Sequence, residues 1–258
     1  MSRAFYDFTL GGYAPDVAPS PGIALQEGAS AYRHPYTQTK FWQGMTLTVV
    51  RPATVSPPGG GAPQPFADPV SLGAFLVDPI PAGGQVRLRA VFERPYASFG
   101  APVTHPPHHG PHLPPVGPGT GTWAVGVLLK SGTAADVKAD VRCAATCQFR
   151  PTGIRLNAPG SGVNHAEVDH RSYADLSPWS SPPVPFVLEI ELDRRPTAPP
   201  MNARARLAIG EVTDHFEFAF TGFAAGQAID AAGVSVAIVN GDGLAMVRVR
   251  SFEVLVLP

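Results

Sequence analysis

PFVLEIELDRR (185–195) puts Phe186, Leu188, Ile190 and Leu192 on one side of an extended chain and Glu189, Glu191 and Asp193 on the other. ARARLAIG (203–210) repeats the alternation with Arg204 and Arg206, and HFEFAF (215–220) with His215 and Glu217. A period of two is the mark of half-buried β-strands, and several in succession predict a sandwich or barrel. If 185–193 and 203–209 form a hairpin in which paired residue numbers sum to 395, Leu188 meets Leu207 and Ile190 meets Ala205 in the core. The other face then sets Glu189 against Arg206 and Glu191 against Arg204. Continued through Gly210, the meander sets Arg206 against His215 and Arg204 against Glu217. Such cross-strand ion pairs contribute roughly 0.2–1 kcal/mol each and fix register.

The same alternation extends outward along the chain. QVRLRAVFE (85–93) points Val86, Leu88, Ala90 and Phe92 one way and Arg87, Arg89 and Glu93 the other. TWAVGVLLK (122–130) lines up Trp123, Val125, Val127 and Leu129, with Ala124 and Gly126 opposite. MTLTVVR (45–51) and SLGAFLV (71–77) read as strands, whereas the first 40 residues read as irregular coil apart from FYDFTL. VSVAIVNGDGLAMVRV (234–249) predicts a hairpin turning at Asn240-Gly241-Asp242-Gly243. The last strand changes phase: Val247 and Val249 lie on one face, Phe252, Val254 and Val256 on the other. A bulge near Ser251 restores them to one core.

Composition bounds the class. The 258 residues are 44% hydrophobic and 15% charged, enough to bury a sizeable core in one all-β domain, 1–258. The 30 prolines fall mainly in 52–69, 102–118, 178–185 and 196–200, so long loops are expected there. A net charge of −1 gives no electrostatic case for nucleic acid or an anionic membrane. No apolar run reaches the roughly 20 residues of a membrane helix. The N-terminus lacks the apolar stretch of a signal peptide. The expected location is the cytoplasm as the sequence is written, or outside the cell if a leader has been removed. Cys143 and Cys147 form one C-x3-C without a second pair. They read as buried thiols, or as partners across a tight turn at Ala144-Ala145-Thr146.

The order VRLRAVFERP, TWAVGVLLK, PFVLEIELD, ARARLAIG and a closing VSVAIVNGDGLAMVRVRSFEVLVL resembles the concanavalin A-like lectin/glucanase superfamily over roughly 85–258. The resemblance implies a jelly-roll β-sandwich of two antiparallel sheets. It also implies carbohydrate binding by a non-catalytic lectin-like module. The alternatives are a glycoside hydrolase or polysaccharide lyase of the same fold, and a structural or assembly protein without a small-molecule site.

Three clusters could carry chemistry. Glu189, Glu191 and Asp193 stand at the spacing of two-carboxylate glycoside hydrolysis. Retaining glucanases of the superfamily carry E-x-D-x-E, whereas this chain has E-x-E-x-D. The competing reading is the solvated charge ladder described above. His105, His108, His109 and His112 could bind a transition metal, but Pro106, Pro107 and Pro111 preclude the helix that would align them. The third cluster is NHAEVDHRSYADLSPWS (164–180). Trp179 and Tyr173 offer flat faces to a sugar ring, and Asp169, Glu167, His170 and Arg171 offer planar polar groups to its hydroxyls. His165, Glu167 and Asp169 could instead ligate a divalent metal ion if extended. These six residues, Trp179 to Arg171, are the expected ligand site, with a glycan as partner.

Overall fold

The computed structural model describes residues 2–7, 25–29, 38–41, 45–55, 60–65, 70–76, 80–99, 122–130, 144–150, 153–157, 166–167, 185–220 and 226–258. Two antiparallel sheets account for nearly all of its strands. In chain order these are β1 (Ser2–Asp7), β2 (Leu25–Ala29), β3 (Gln38–Phe41), β4 (Met45–Arg51), β5 (Thr54–Val55), β6 (Gln64–Pro65), β7 (Val70–Leu76), β8 (Gln85–Phe99) and β9 (Thr122–Lys130). They continue with β10 (Ala144–Arg150), β11 (Gly153–Asn157), β12 (Ala166–Glu167), β13 (Phe186–Asp193), β14 (Ala203–Ile209), β15 (Val212–Phe218), β16 (Ala231–Asn240) and β17 (Gly243–Leu257). The eight-stranded sheet runs β15-β14-β13-β8-β17-β4-β3, with β1 also paired to β17. The seven-stranded sheet runs β12-β11-β10-β9-β16-β7-β2, and β5-β6 is a separate small ribbon. No helix among the described residues is long and apolar enough to cross a membrane.

The inward faces meet in one apolar core. Leu188, Ile190, Leu88, Phe92 and Phe252 from the first sheet join Val125, Val127, Leu129, Val234 and Val236 from the second, all buried. Phe92 stacks on Phe186 at 5.3 Å and Tyr6 on Phe252 at 4.7 Å. This is the sandwich that the alternation left open beside a barrel and the jelly roll that the resemblance implies, with the chain passing repeatedly from sheet to sheet.

Four sequence expectations are corrected. The coil expected before residue 40 contains β2 and β3. β8 runs through Pro95 to Phe99, because the proline falls where the β8–β17 register shifts and no ladder hydrogen bond is asked of it. Ala144-Ala145-Thr146 is not a turn: it lies inside β10, paired with Lys130, Leu129 and Leu128 of β9. Cys147 therefore sits in a continuous strand opposite Val127, and Cys143 lies outside the described residues.

The fourth correction concerns Asn240–Gly243. Its glycines adopt positive φ, Gly241 at 82° and Gly243 at 159°. Yet the flanking strands do not pair with each other. β16 lies between β7 and β9 of one sheet, whereas β17 lies in the other. The turn is a corner between layers. Turn chemistry specifies the reversal alone; Val236 and Ile238 enter the core from one sheet and Val247 and Val249 from the other. The Arg51 guanidinium pins the corner by donating to the Gly241 carbonyl at 2.9 Å.

A second tight contact closes the opposite end of β17. A Cβ added to Gly84 would overlap the Leu257 carbonyl oxygen, while the Gly84 carbonyl accepts from the Arg194 amide at 3.0 Å. Only a residue without a side chain fits between them. Gly84→Ala is expected to destabilise the protein by roughly 1–3 kcal/mol. Urea denaturation measures this, and an unchanged midpoint would show that the two strand ends are not in contact.

Candidate functional site

The expected hairpin register is met in full. Leu188 pairs with Leu207, Glu189 with Arg206, Ile190 with Ala205 and Glu191 with Arg204. β15 continues it, with Arg206 opposite His215 and Arg204 opposite Glu217. The structure adds a partner that local reading could not supply. β13 is central, and on its other side β8 sets Arg89 against Glu189 and Arg87 against Glu191. The guanidinium–carboxylate separations there are both 3.9 Å. Each glutamate of the strand thus lies between two arginines, and the ladder continues through Glu253 of β17, opposite Arg89. The arginines of QVRLRAVFE were visible as outward-facing cations; their role as partners required the non-local pairing.

The third carboxylate is fixed differently. Asp193 accepts from Arg195 through Nε at 3.0 Å, through Nη2 at 2.7 Å and through the backbone amide at 3.0 Å, and from Gln85 Nε2 at 3.0 Å. This forked contact with Arg195 holds its carboxyl well below the usual carboxylate range, against the opposing effect of burial. Nearby, Asn202 donates to the carbonyls of Asp193 and Phe220 and accepts from the Phe220 amide at 2.7 Å. Arg194 donates to the Gln227 carbonyl. The segment 194–202 is therefore latched at both ends. A general acid for glycoside cleavage needs a raised carboxyl pKa. Asp193 is shifted the other way, and Glu189 and Glu191 stand in the cross-strand charge ladder.

Of the residues named for ligand binding, Glu167 is among the described residues, at the far edge of the other sheet. Glu167 is in β12, paired with Arg155 of β11. Asp169, His170, Arg171, Tyr173 and Trp179 lie outside the described residues, as do His165 and the histidines at 105, 108, 109 and 112. Following the register from Glu167 across the sheet gives Arg155, Gln148, Gly126, Ser235, Gly73 and Gly28, one residue from each of seven strands. The middle of the row, Gly126, Ser235 and Gly73, is out of phase with the core positions Val125, Val127, Val234 and Val236 and belongs to the outward face. This middle is nearly bare of side chains, and Gly73 and Gly126 are buried at its floor. Among the described residues no three His, Cys, Asp or Glu side chains converge to hold a metal ion.

The sign of the Asp193 shift sets a pH dependence. A carboxyl whose folded pKa is depressed contributes stability that is fully present above its unfolded value, near 3.9, and is lost as pH falls through the folded value. Asp193→Asn is therefore expected to lower the melting temperature at pH 7, and the gap to wild type should narrow as pH is taken below about 4. Calorimetry across that range measures it. A gap that widens in acid would contradict the Arg195 latch.

No family model matches the chain, and no curated protein matches it. Solved structures similar in fold include lectin I-B4 from Griffonia simplicifolia in a metal-free form, with 11% identity over 98% of this chain and 99% of that one and a TM-score of 0.48. Lectin II from Ulex europaeus has 9% identity over 100% and 99%, with a TM-score of 0.48. Arcelin-5, a lectin-like defence protein from Phaseolus vulgaris, has 10% identity over 99% of each chain, with a TM-score of 0.47. The likeness spans nearly the whole chain and concerns architecture; no residue's role follows from it.

Proposed function

We propose that the chain is a single carbohydrate-binding, lectin-like module that acts without catalysis. Its site is the outward face of the seven-stranded sheet where β12 enters. Glu167, Asp169, His170, Arg171, Tyr173 and Trp179 supply the contacts. The observation that supports this is the register row from Gly28 to Glu167. Three glycines and a serine leave a low floor over four strands, and Gln148, Arg155 and Glu167 follow in the next three. Planar amide, guanidinium and carboxylate groups suit hydroxyls that both donate and accept. The segment after Glu167 carries the two aromatics that a sugar's C–H face would cover.

A glycan array, read with and without EDTA, tests the reading. Trp179→Ala should abolish most glycan affinity and leave the melting temperature nearly unchanged. Loss of wild-type binding in EDTA would assign a divalent ion to the cluster His165, Glu167 and Asp169. If the wild type binds no glycan and Trp179→Ala costs on the order of 3–5 kcal/mol of stability, the tryptophan is a packing residue and the proposal fails.

A further inference from the structure

We infer that the eight-stranded sheet carries a second ligand site on its own outward face, a groove for a neutral oligosaccharide lying across the strands. The groove, about 260 Å³, is floored by Glu217, Arg204, Glu191 and Arg87 from four adjacent strands and ends at Leu255 and Leu257 of β17. Five strands at their usual spacing make it about 19 Å long. Pro199 and Met201 form its lip, and Met201 is 52% exposed.

Charge decides against most ligand classes. The floor reads acid, base, acid, base and sums to zero, so a polyanion or polycation gains nothing there. Its groups nevertheless retain hydrogen-bonding capacity. Arg87 and Glu191 are 3.9 Å apart, beyond a hydrogen bond, and each side chain is about two-fifths exposed. Among the described residues Arg204 and Glu217 face each other in register without an ion pair or hydrogen bond. A guanidinium beside a carboxylate presents planar donors next to planar acceptors, the complement of adjacent hydroxyls. The leucines and Met201 offer apolar surface for C–H groups.

The lip is also preorganised. Asp193–Arg195 and Asn202–Phe220 hold both ends of 194–202, so Pro199 and Met201 are placed before any ligand arrives. Binding then carries a smaller ordering cost. Asp193 itself is spent on Arg195 and Gln85 and forms wall rather than contact.

Hydrogen exchange on the full chain, with a panel of neutral gluco-, manno- and galacto-tetrasaccharides at millimolar concentration, tests the groove independently of the first site. Slowed exchange at 85–88, 199–206 and 215–218 is expected. The Arg204→Ala/Glu217→Ala double variant, both positions being exposed, should keep its melting temperature and weaken this binding by about tenfold or more. Trp179→Ala should leave it intact. Protection confined to 122–130, 144–157 and 166–180 would overturn the groove and leave the first site standing. Protection confined to the groove would support the groove and overturn the first site. Protection in neither region overturns both. Groove protection by charged tetrapeptides in place of sugars would overturn the ligand class.

Discussion

The register of β13 between β8 and β14 is the constraint on which the eight-stranded sheet depends. Two independent demands select the same register. Leu188, Ile190 and Leu192 must enter the core, where they are fully or almost fully buried. Glu189 and Glu191 must each meet arginines on both sides. A slip of one residue would expose the leucines and drive two carboxylates into an apolar interior, where an unpaired charge is very costly. The individual ion pairs are weak and partly exposed. Their value lies in agreeing with the core, because consistent local and global preferences leave the chain one good arrangement.

The β8–β17 pair shows how two phase errors cancel. Paired residue numbers sum to 342 at Met246–Tyr96, to 341 at Arg248–Glu93 and Val249–Phe92, and to 342 again at Ser251–Val91. β8 therefore carries one extra residue near Pro95 and β17 one near Arg250. Each strand flips its alternation once, and each remains in the core on both sides of its flip: Phe92 and Phe99 in β8, Val249 and Phe252 in β17. Between the two irregularities Arg248 and Arg250 both reach Glu93, at 3.2 and 3.7 Å, and Arg248 and Glu93 are largely buried. The bulge beside Ser251 was legible because Val247, Val249, Phe252 and Val254 cannot otherwise share a core. Its counterpart was hidden because Pro95 reads locally as the end of a strand.

That contrast describes what the sequence could reveal. Alternation, and hairpins whose two strands are neighbours in sequence, are local properties, so β13, β14 and β15 and their charge pairing were readable to the residue. Partner choice between distant strands is not local. Nothing near Glu189 announces Arg89, a hundred residues earlier, and Asn240–Gly243 has the same turn chemistry whether its strands pair or arch across the core. For the sites the same division holds. Glu167 was named from composition, but the glycine–serine row that runs to it draws one residue from each of seven strands. The groove on the opposite sheet was invisible for that reason too. Its floor comes from four strands, and its lip depends on Arg195 and Asn202, which local reading passes over as loop residues.

The topology places an unusual demand on the end of the chain. β16 is interior to the seven-stranded sheet, between β7 and β9, and β17 is interior to the eight-stranded one, between β8 and the pair β4 and β1. Neither sheet has its centre until the last two strands arrive, and they arrive joined by one short corner. Most of the contacts in both layers thus link residues far apart in sequence, the arrangement that folds slowly because loop-closure entropy is spent before non-local contacts return it. The corner reduces that cost at its last step: once β17 is seated between β8 and β4, β16 is tethered within reach of β9 and β7. Arg51, the last residue of β4, holds the Gly241 carbonyl at the same corner, so it couples the strand that receives β17 to the turn that delivers β16. The same contact ties the two sheets together at the corner.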